Sequence, residues 1–388
     1  MKKNELFYLF LIAFALQNTV ANAQSIKAEK YEMKVNIDII KRNITAKTII
    51  TAFSQNSTTD TLKLILHKNS TIQKVKVDGK NCKYLFAVSD KQANRYMPES
   101  RDLIVVPNEK LNGKFTIEID YVVSLMELKH NTSSFTNEWI ALASYSSWYP
   151  VNFDWGKFNY SVTVSIPKPF IVSGAGEVSY QNRKWKLVQS SKTSDIVLVA
   201  SNTMKTKKFK DNDANITMSY IGFTEAKADS IIASTIQAYN FYKTIFGEVE
   251  KGNLTIIATP FKGGNAFARK NLIYMQTEGE SSFDINKTIS HEVAHFWWNK
   301  ASDGTWEDWL NEGFAEFSTL LFIQKLISDS TYLDEVKNYN EMSKKVAPVW
   351  EMDRNGNSAS MILYRKAPVA LVNFRNTIGD EAFFNLLK

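Results

Sequence analysis

A change of hydrophobic period partway along the chain limits its fold more than any other feature. From Tyr31 to about Asn202, runs such as YEMKVNIDI, ITAKTIITAF, LKLIL, FTIEIDYVV and YSVTVSIP alternate apolar and polar residues. They are rich in β-branched side chains and are separated by polar turns such as DGKN and NEKLNGK. A period of two sends every second side chain to the same face of a strand, so this stretch predicts an all-β region with one buried face. WYP at 148–150, followed by YSVTVSIP, reads as a hairpin late in that region. Beyond Lys210 the period lengthens. Residues 225–247 carry apolar residues at helical spacing and close on a glycine, and the same spacing predicts helices over 284–300, 310–327, 361–378 and 381–388. Asp284 is the expected N-cap of the second of these, and 254–258 reads as a short apolar strand. The chain divides accordingly into an all-β domain over 24–205 and an α+β domain over 206–388.

Composition narrows the class. Of 388 residues, 44% are hydrophobic and 22% charged, which is ordinary for a chain that buries a core. The net charge of +7 is dispersed. Its densest run, Lys205 to Lys210, reads as a solvated strand end or linker, so no nucleic-acid partner is expected. Lys2 and Lys3, an apolar stretch from Leu6 to Leu16, and Ala21-Asn22-Ala23 together form a secretory signal over 1–23, with cleavage before Gln24. The apolar stretch is too short to span a bilayer comfortably, and no later segment is a transmembrane candidate. An exported protein, periplasmic or extracellular, is expected. Cys82 is the single cysteine, so disulfides within the chain and cysteine-rich metal sites are excluded.

The chemistry concentrates in SHEVAHFWWNK, residues 290–300. With His291 at zero on a helical wheel, His295 falls at about 40°, whereas Ile285, Ile289, Val293, Phe296 and Trp297 fall between about 120° and 240°. The two histidines therefore lie one turn apart on the face away from the apolar arc, where both rings can reach one ion. His67 and His130 read as ordinary surface or strand residues. Catalytic zinc commonly takes three protein ligands, so one partner is missing. The sequence offers Glu312 in WLNEGFAEF, separated from His295 by sixteen residues that include a turn at Asp303-Gly304, with Glu307 and Asp308 as competitors that belong in the turn and are expected to be solvated. Glu316, one helical turn after Glu312, is placed to accept the spare ring N–H of a ligand histidine. Glu292 sits beside the first ligand and is the candidate general base for a metal-activated water.

HEVAH with WLNEGFAEF resembles the aminopeptidase N family of gluzincin zinc metallopeptidases, and the likeness runs along nearly the whole chain after the signal. It implies an all-β N-terminal saddle domain followed by an α+β thermolysin-like catalytic domain, one Zn2+ per chain and peptide substrates. LYRKAPVALVNFRNTIGDEAFF is similar to the family segment whose tyrosine donates to the oxyanion; Tyr364 and Lys366 match its Tyr and Lys. Three departures stand out. The interval from the second His to the Glu is slightly short. The stretch PFKGGNAFARKNLIYM has glycines (Gly263, Gly264, then Asn265, expected to touch substrate) but lacks the family's amine-holding Glu, and no acid occurs from Lys251 to Thr277. Glu278 or Glu280 are the nearest substitutes. The sequence also stops at Lys388, soon after Tyr364, so either the family's helical C-terminal domain is expected to be missing or the chain is a fragment. The resemblance implies an aminopeptidase. Its departures leave open an endopeptidase, or a catalytically weak member that binds peptides or a protein.

Overall fold

The structure, a computed structural model, describes residues 26–388 except 95, 127, 129, 131, 211–214, 250–252 and 263–264; for 55–59 and 262 it describes the backbone alone. The expected export signal over 1–23 and the glycines Gly263 and Gly264 lie outside the described residues.

Among the described residues, the first half is all β apart from two 3-10 turns. Its strands are β1 (Ile26–Asp38), β2 (Asn43–Thr59), β3 (Leu62–His67), β4 (Ser70–Val77), β5 (Lys80–Asn81), β6 (Lys83–Phe86), β7 (Ser100–Val106), β8 (Leu111–Ser124), β9 (Ser134–Phe135), β10 (Trp139–Leu142), β11 (Phe158–Ser165), β12 (Ile171–Gly174), β13 (Glu177–Gln181), β14 (Lys184–Thr193) and β15 (Leu198–Ser201). They form an eight-stranded sheet in the order β13-β14-β11-β1-β2-β8-β4-β5, a four-stranded sheet β12-β15-β10-β9 and a three-stranded sheet β3-β7-β6. Register follows the alternating pattern. Tyr31, Met33, Val35 and Ile37 lie opposite Ile50, Thr48, Ala46 and Ile44, which in turn lie opposite Ile117, Ile119, Tyr121 and Val123; all twelve are buried on one face. A register shift between Ala28 and Lys30 moves the buried parity from Ile26 and Ala28 to Tyr31 and Met33, which is what one extra residue in a ladder does. The expected hairpin at WYP is not formed. Trp148 and Tyr149 are buried in a crossing segment, Val151 bridges to Ile65, and β11 lies between β1, parallel to it, and β14.

The second half begins with β16 (Lys205–Lys210) and continues through β17 (Asn215–Tyr220), helix α1 (Glu225–Phe246), β18 (Asn253–Lys262), β19 (Ala266–Arg269), β20 (Leu272–Glu278), α2 (Ser282–Ala294), α3 (Trp309–Leu326), α4 (Asp329–Ser343), α5 (Ala359–Met361), a π-helical turn (Ile362–Lys366), α6 (Ala367–Ile378) and α7 (Asp380–Leu387). The sheet order is β16-β17-β18-β20-β19, with β17, β18 and β20 parallel and an antiparallel strand at each edge. The lysine-rich run is the exposed edge strand β16, where charge discourages pairing with another chain. Both faces of the sheet are covered, which is why its central strands read as continuous apolar runs. Ile256, Ala258, Ile273 and Met275 pack under the helices. Ile257, Leu272 and Tyr274 point the other way and join Trp139, Ala141, Val197 and Val199 of the β half. This shared core fixes the two halves against each other.

The helix expected over 284–300 starts and stops earlier. Ser281 is its N-cap and Asp284 closes the capping box from N3, so Asp284 is not the cap itself. Helix α4 has no counterpart in the sequence reading; it buries only Tyr332, Tyr339 and Ser343, too sparse a stripe for its period to register. Among the described residues, no helix is long and apolar enough to cross a membrane.

Candidate metal centre and active site

Helix α2 ends at Ala294 and His295 is its C-cap, so the motif occupies the last turn of a buried helix that packs on α1 and α3. Helix α3 runs back past it and brings Glu312 to the histidines. One ligand atom from each of His291, His295 and Glu312 lies within 4.8 Å of the others. Glu312 Oε2 is 3.2 Å from His291 Nε2 and 3.5 Å from His295 Nε2. Two ligands bound tetrahedrally at the usual zinc distances lie about 3.4 Å apart, so the donor set and its spacing fit this ion.

The ring orientations are imposed from behind. His291 Nδ1 meets Glu316 Oε2 at 2.8 Å and His295 Nδ1 meets the Trp298 carbonyl at 3.0 Å. With Nδ1 donating in both rings, Nε2 is left as the lone-pair atom, and both Nε2 atoms face Glu312. Glu316 is itself held: its Oε1 accepts from the Tyr339 hydroxyl and from Arg365 Nη1. Burial opposes its charge, but His291, the Lys287 charge and the Tyr339 hydroxyl bring the carboxyl down to about 2. Burial likewise works against Glu312, yet His295 and His291 hold it well below the usual carboxylate range. Glu292 is the contrast. It is buried, its Oε2 has no hydrogen-bond partner, and burial pushes its carboxyl up while the imidazoles only partly offset this. A buried acceptor left without a donor at a cleft wall is costly unless something from the cleft uses it.

Tyr364 sits in the π-helical turn between α5 and α6. Such a turn offsets the helix by one residue, here letting Tyr364 and Arg365 serve different partners. The Tyr364 ring lies 5.6 Å from that of His291 and its hydroxyl feels the Glu312 carboxylate, while Arg365 reaches Glu316. Burial and the Glu312 charge push the phenol well up, so it keeps its proton as a donor. Lys366 Nζ donates to the Val346 carbonyl. Close approach of α3 and α6 depends on Gly313: a Cβ there would lie 2.7 Å from Ala367 Cβ. Gly313→Ala is therefore expected to cost about 1–3 kcal/mol of stability and to move Glu312 relative to Tyr364. Chemical denaturation read beside bound metal checks both, and a variant as stable as the parent with full metal would show that the contact yields.

Asp308 is not the solvated turn acid expected. It is 1% exposed, binds Arg354 at 2.7 Å and accepts from Asn311, whose amide also spans Ala301 N and O. Arg354 continues to the Tyr96 hydroxyl in the β half. Asp308 thus ties the start of α3 to the loop after α2, and burial pushes its carboxyl up to about 6. His67 is fully buried at the end of β3, with Nδ1 accepting from Asn69 N–H, and is not a surface residue. His130 stacks on Tyr145 at 4.3 Å.

His291, Glu292, His295, Glu312, Tyr364 and Asn265 line one cleft of about 1900 Å³; Glu278 and Glu280 do not line it. Asn265 Nδ2 donates to Gln276 Oε1. The Trp298 carbonyl, Arg365, Tyr339 and the Asp308–Arg354 pair were not apparent from sequence. A main-chain acceptor leaves no residue-type signal, and Arg365 is far from Glu316 along the chain.

Fold and cluster together define the active site of a zinc-dependent metallopeptidase. Residues 262–388 match the Peptidase family M1 domain, so the chain carries an M1-type domain toward its C-terminal end. No curated protein sequence matches the chain. Among solved structures, an M1 zinc metallopeptidase from Deinococcus radiodurans superposes with TM-score 0.74 at 14% identity, covering 94% of this chain and 85% of that one. Leukotriene A4 hydrolase from Saccharomyces cerevisiae superposes with TM-score 0.70 at 15% identity, over 96% of this chain and 62% of that one. At these identities the likeness establishes the fold: an all-β N-terminal saddle domain followed by an α+β thermolysin-like catalytic domain.

Proposed function

We propose that this chain is an exported zinc metallopeptidase that hydrolyses peptide bonds, with residues 1–23 removed on export, a β domain over 24–205 and the catalytic domain over 206–388. The observation that carries it is the meeting of His291, His295 and Glu312 within 4.8 Å, beside a Glu292 carboxylate oxygen that has no partner. His291, His295 and Glu312 would hold one Zn2+, which when bound supplies Lewis-acid polarisation and lowers the pKa of water. Glu316 and the Trp298 carbonyl fix the two imidazoles. Glu292 takes a proton from the attacking water and returns it to the leaving amine. Tyr364 donates a hydrogen bond to the carbonyl oxygen as it gains charge.

The resemblance implies release of N-terminal residues, which needs an anion to hold the substrate amine. The described wall of the cleft from Asn265 to Asn271 carries none and places Arg269 and Lys270 there instead. Cleavage that does not depend on a free N-terminus is therefore the better-supported reading. Zinc content and turnover of peptide pairs that differ only by N-acetylation test it. Blocked peptides are expected to be cut within about tenfold of the free ones. Blocked peptides cut more than about a hundredfold more slowly would restore the aminopeptidase reading. One zinc per chain with no peptide hydrolysed at all would leave a binding protein.

A further inference from the structure

The π-helical turn Ile362–Lys366 puts two consecutive residues at one site. On the peptidase reading, Tyr364 is the donor to the substrate carbonyl. Its neighbour Arg365 turns to the carboxylate behind a metal ligand. Arg365 Nη1 donates to Glu316 Oε1 at 3.1 Å and to the main-chain carbonyl of Tyr364 at 2.7 Å. Each terminal nitrogen of a guanidinium carries two hydrogens in a rigid plane. One nitrogen therefore sets the spacing between the Tyr364 main chain and the Glu316 carboxylate. The plane is held too. Arg365 Cζ lies 4.4 Å from the centroid of the Tyr339 ring, and the Tyr339 hydroxyl donates to the same Glu316 oxygen. Tyr339 comes from α4 and is 1% exposed, so this support is shielded from water.

The other oxygen of Glu316, Oε2, takes the Nδ1–H of His291 at 2.8 Å. A continuous line of hydrogen bonds thus runs from the Tyr364 main chain through Arg365 and Glu316 to His291. It joins the π-helical turn to α3 and then to α2. It closes on itself at the cleft, where the Tyr364 ring lies 5.6 Å from the His291 ring. Stability alone does not account for such an arrangement. The Arg365 side chain is 28% exposed, and an ion pair with one partner this exposed contributes little to the fold. Geometry does account for it. A reacting constellation has to be held to about 0.5 Å, and a misplacement of about 1 Å can cost about a hundredfold in rate. The phenol and the imidazole sit on separate elements, and Arg365 fixes one against the other.

We propose that Arg365 is a positioning residue that couples the ligand His291 to the oxyanion donor Tyr364. It acts through these two residues and not on the substrate. Through Glu316 it keeps the His291 ring turned with Nε2 toward the ion. Through the Tyr364 carbonyl it keeps the phenol where the substrate oxygen gains charge. A lysine at 365 would keep a positive charge opposite Glu316. It would lose the planar fork and the stacking on Tyr339 that set direction.

The test makes Arg365→Met and Arg365→Lys in the mature protein, each with Tyr364 intact and with Tyr364→Phe. Zinc affinity is read by competition with a chelator, and Arg365→Met is expected to weaken it about tenfold or more. At saturating zinc its kcat should fall about 10–100-fold while KM stays within about threefold. Arg365→Lys should recover most of the zinc affinity and little of the kcat. In the Tyr364→Phe background the kcat cost of either substitution should shrink at least about threefold, because the hydroxyl being positioned is gone. Tyr339→Phe, whose lost hydroxyl serves Glu316, should cost the same factor in both backgrounds. A kcat cost of Arg365→Met that is equal in both backgrounds overturns the coupling, and so do a zinc affinity and kcat within about twofold of the parent. Thermal midpoints are read on every variant, and if Arg365→Met does not fold, Arg365→Lys carries the same comparison. Should the parent cut no peptide, the peptidase reading fails separately. Zinc affinity then decides, and the role of Arg365 falls if Arg365→Met binds zinc as tightly as the parent.

Discussion

Glu312→Ala is expected to empty the metal site. Zinc per chain should fall from about one to below about a tenth after dialysis, and hydrolysis should fall with it, whereas Glu307→Ala should keep both. The expectation follows from the donor count: two imidazoles alone leave a catalytic zinc one protein ligand short. Loss of an outer partner of a ligand costs about 10–100-fold in metal affinity, and a direct ligand costs more. Glu316→Gln should fall between the two, because it weakens the hydrogen bond that fixes His291 without removing a donor to the ion. Atomic absorption on the three variants ranks them. Zinc lost on Glu307→Ala but kept on Glu312→Ala would show that the carboxylate comes from the turn and not from α3.

Much of this site could be read from residue types. The motif at 291–295 stands out because its histidines sit opposite the apolar arc of their helix, and the structure places both at the cleft. Glu312 could be singled out because a third donor was missing and a turn signal at Asp303-Gly304 allowed the chain to come back. What sequence could not show is how the donors are held. The Trp298 carbonyl orients His295 only because α2 stops at Ala294, six residues short of the helix its apolar period suggested. Asp308 looked like a solvated turn acid because Arg354, its partner, is 46 residues away. The β half was legible as strands, since period two survives wherever one face is buried. Its order was not: β11 beside β1 is a pairing across more than a hundred residues, and WYP supplied turn letters to a segment that in fact crosses between sheets. The central strands of the second sheet hid their face assignment for the opposite reason. Buried on both sides, they carry no alternation to read.

The wall of the cleft shows how a local exception in sequence becomes a physical statement. The absence of an acid between Lys251 and Thr277 was visible at once, but absence alone does not specify a ligand. The structure adds that β19 carries a guanidinium fixed by a buried carboxylate, in the same cleft as the histidines. The stretch that lacks an acid is thus occupied by a structural ion pair, Arg269 with Asp195.

Glu292→Gln is expected to keep zinc at one per chain and lose about a thousandfold in kcat. General-base catalysis contributes roughly 10²–10⁴, or about 3–5 kcal/mol of barrier, and an amide of the same shape cannot accept the proton. Three features separate a chemical loss from a structural one. Glu292 is not among the grouped donors, so metal should stay. The side chain is buried and burial disfavours its charge, so a neutral isostere should leave the thermal midpoint unchanged or higher. Its Oε2 has no partner to lose, so no hydrogen bond in the fold is broken. Zinc content, thermal midpoint and turnover are measured on one preparation. A variant that keeps its metal and still cuts within tenfold of the parent would remove Glu292 from the chemistry. One that loses its metal would make Glu292 part of the donor set. Full metal, an unchanged or raised midpoint and a thousandfold loss together would place the proton transfer on Glu292.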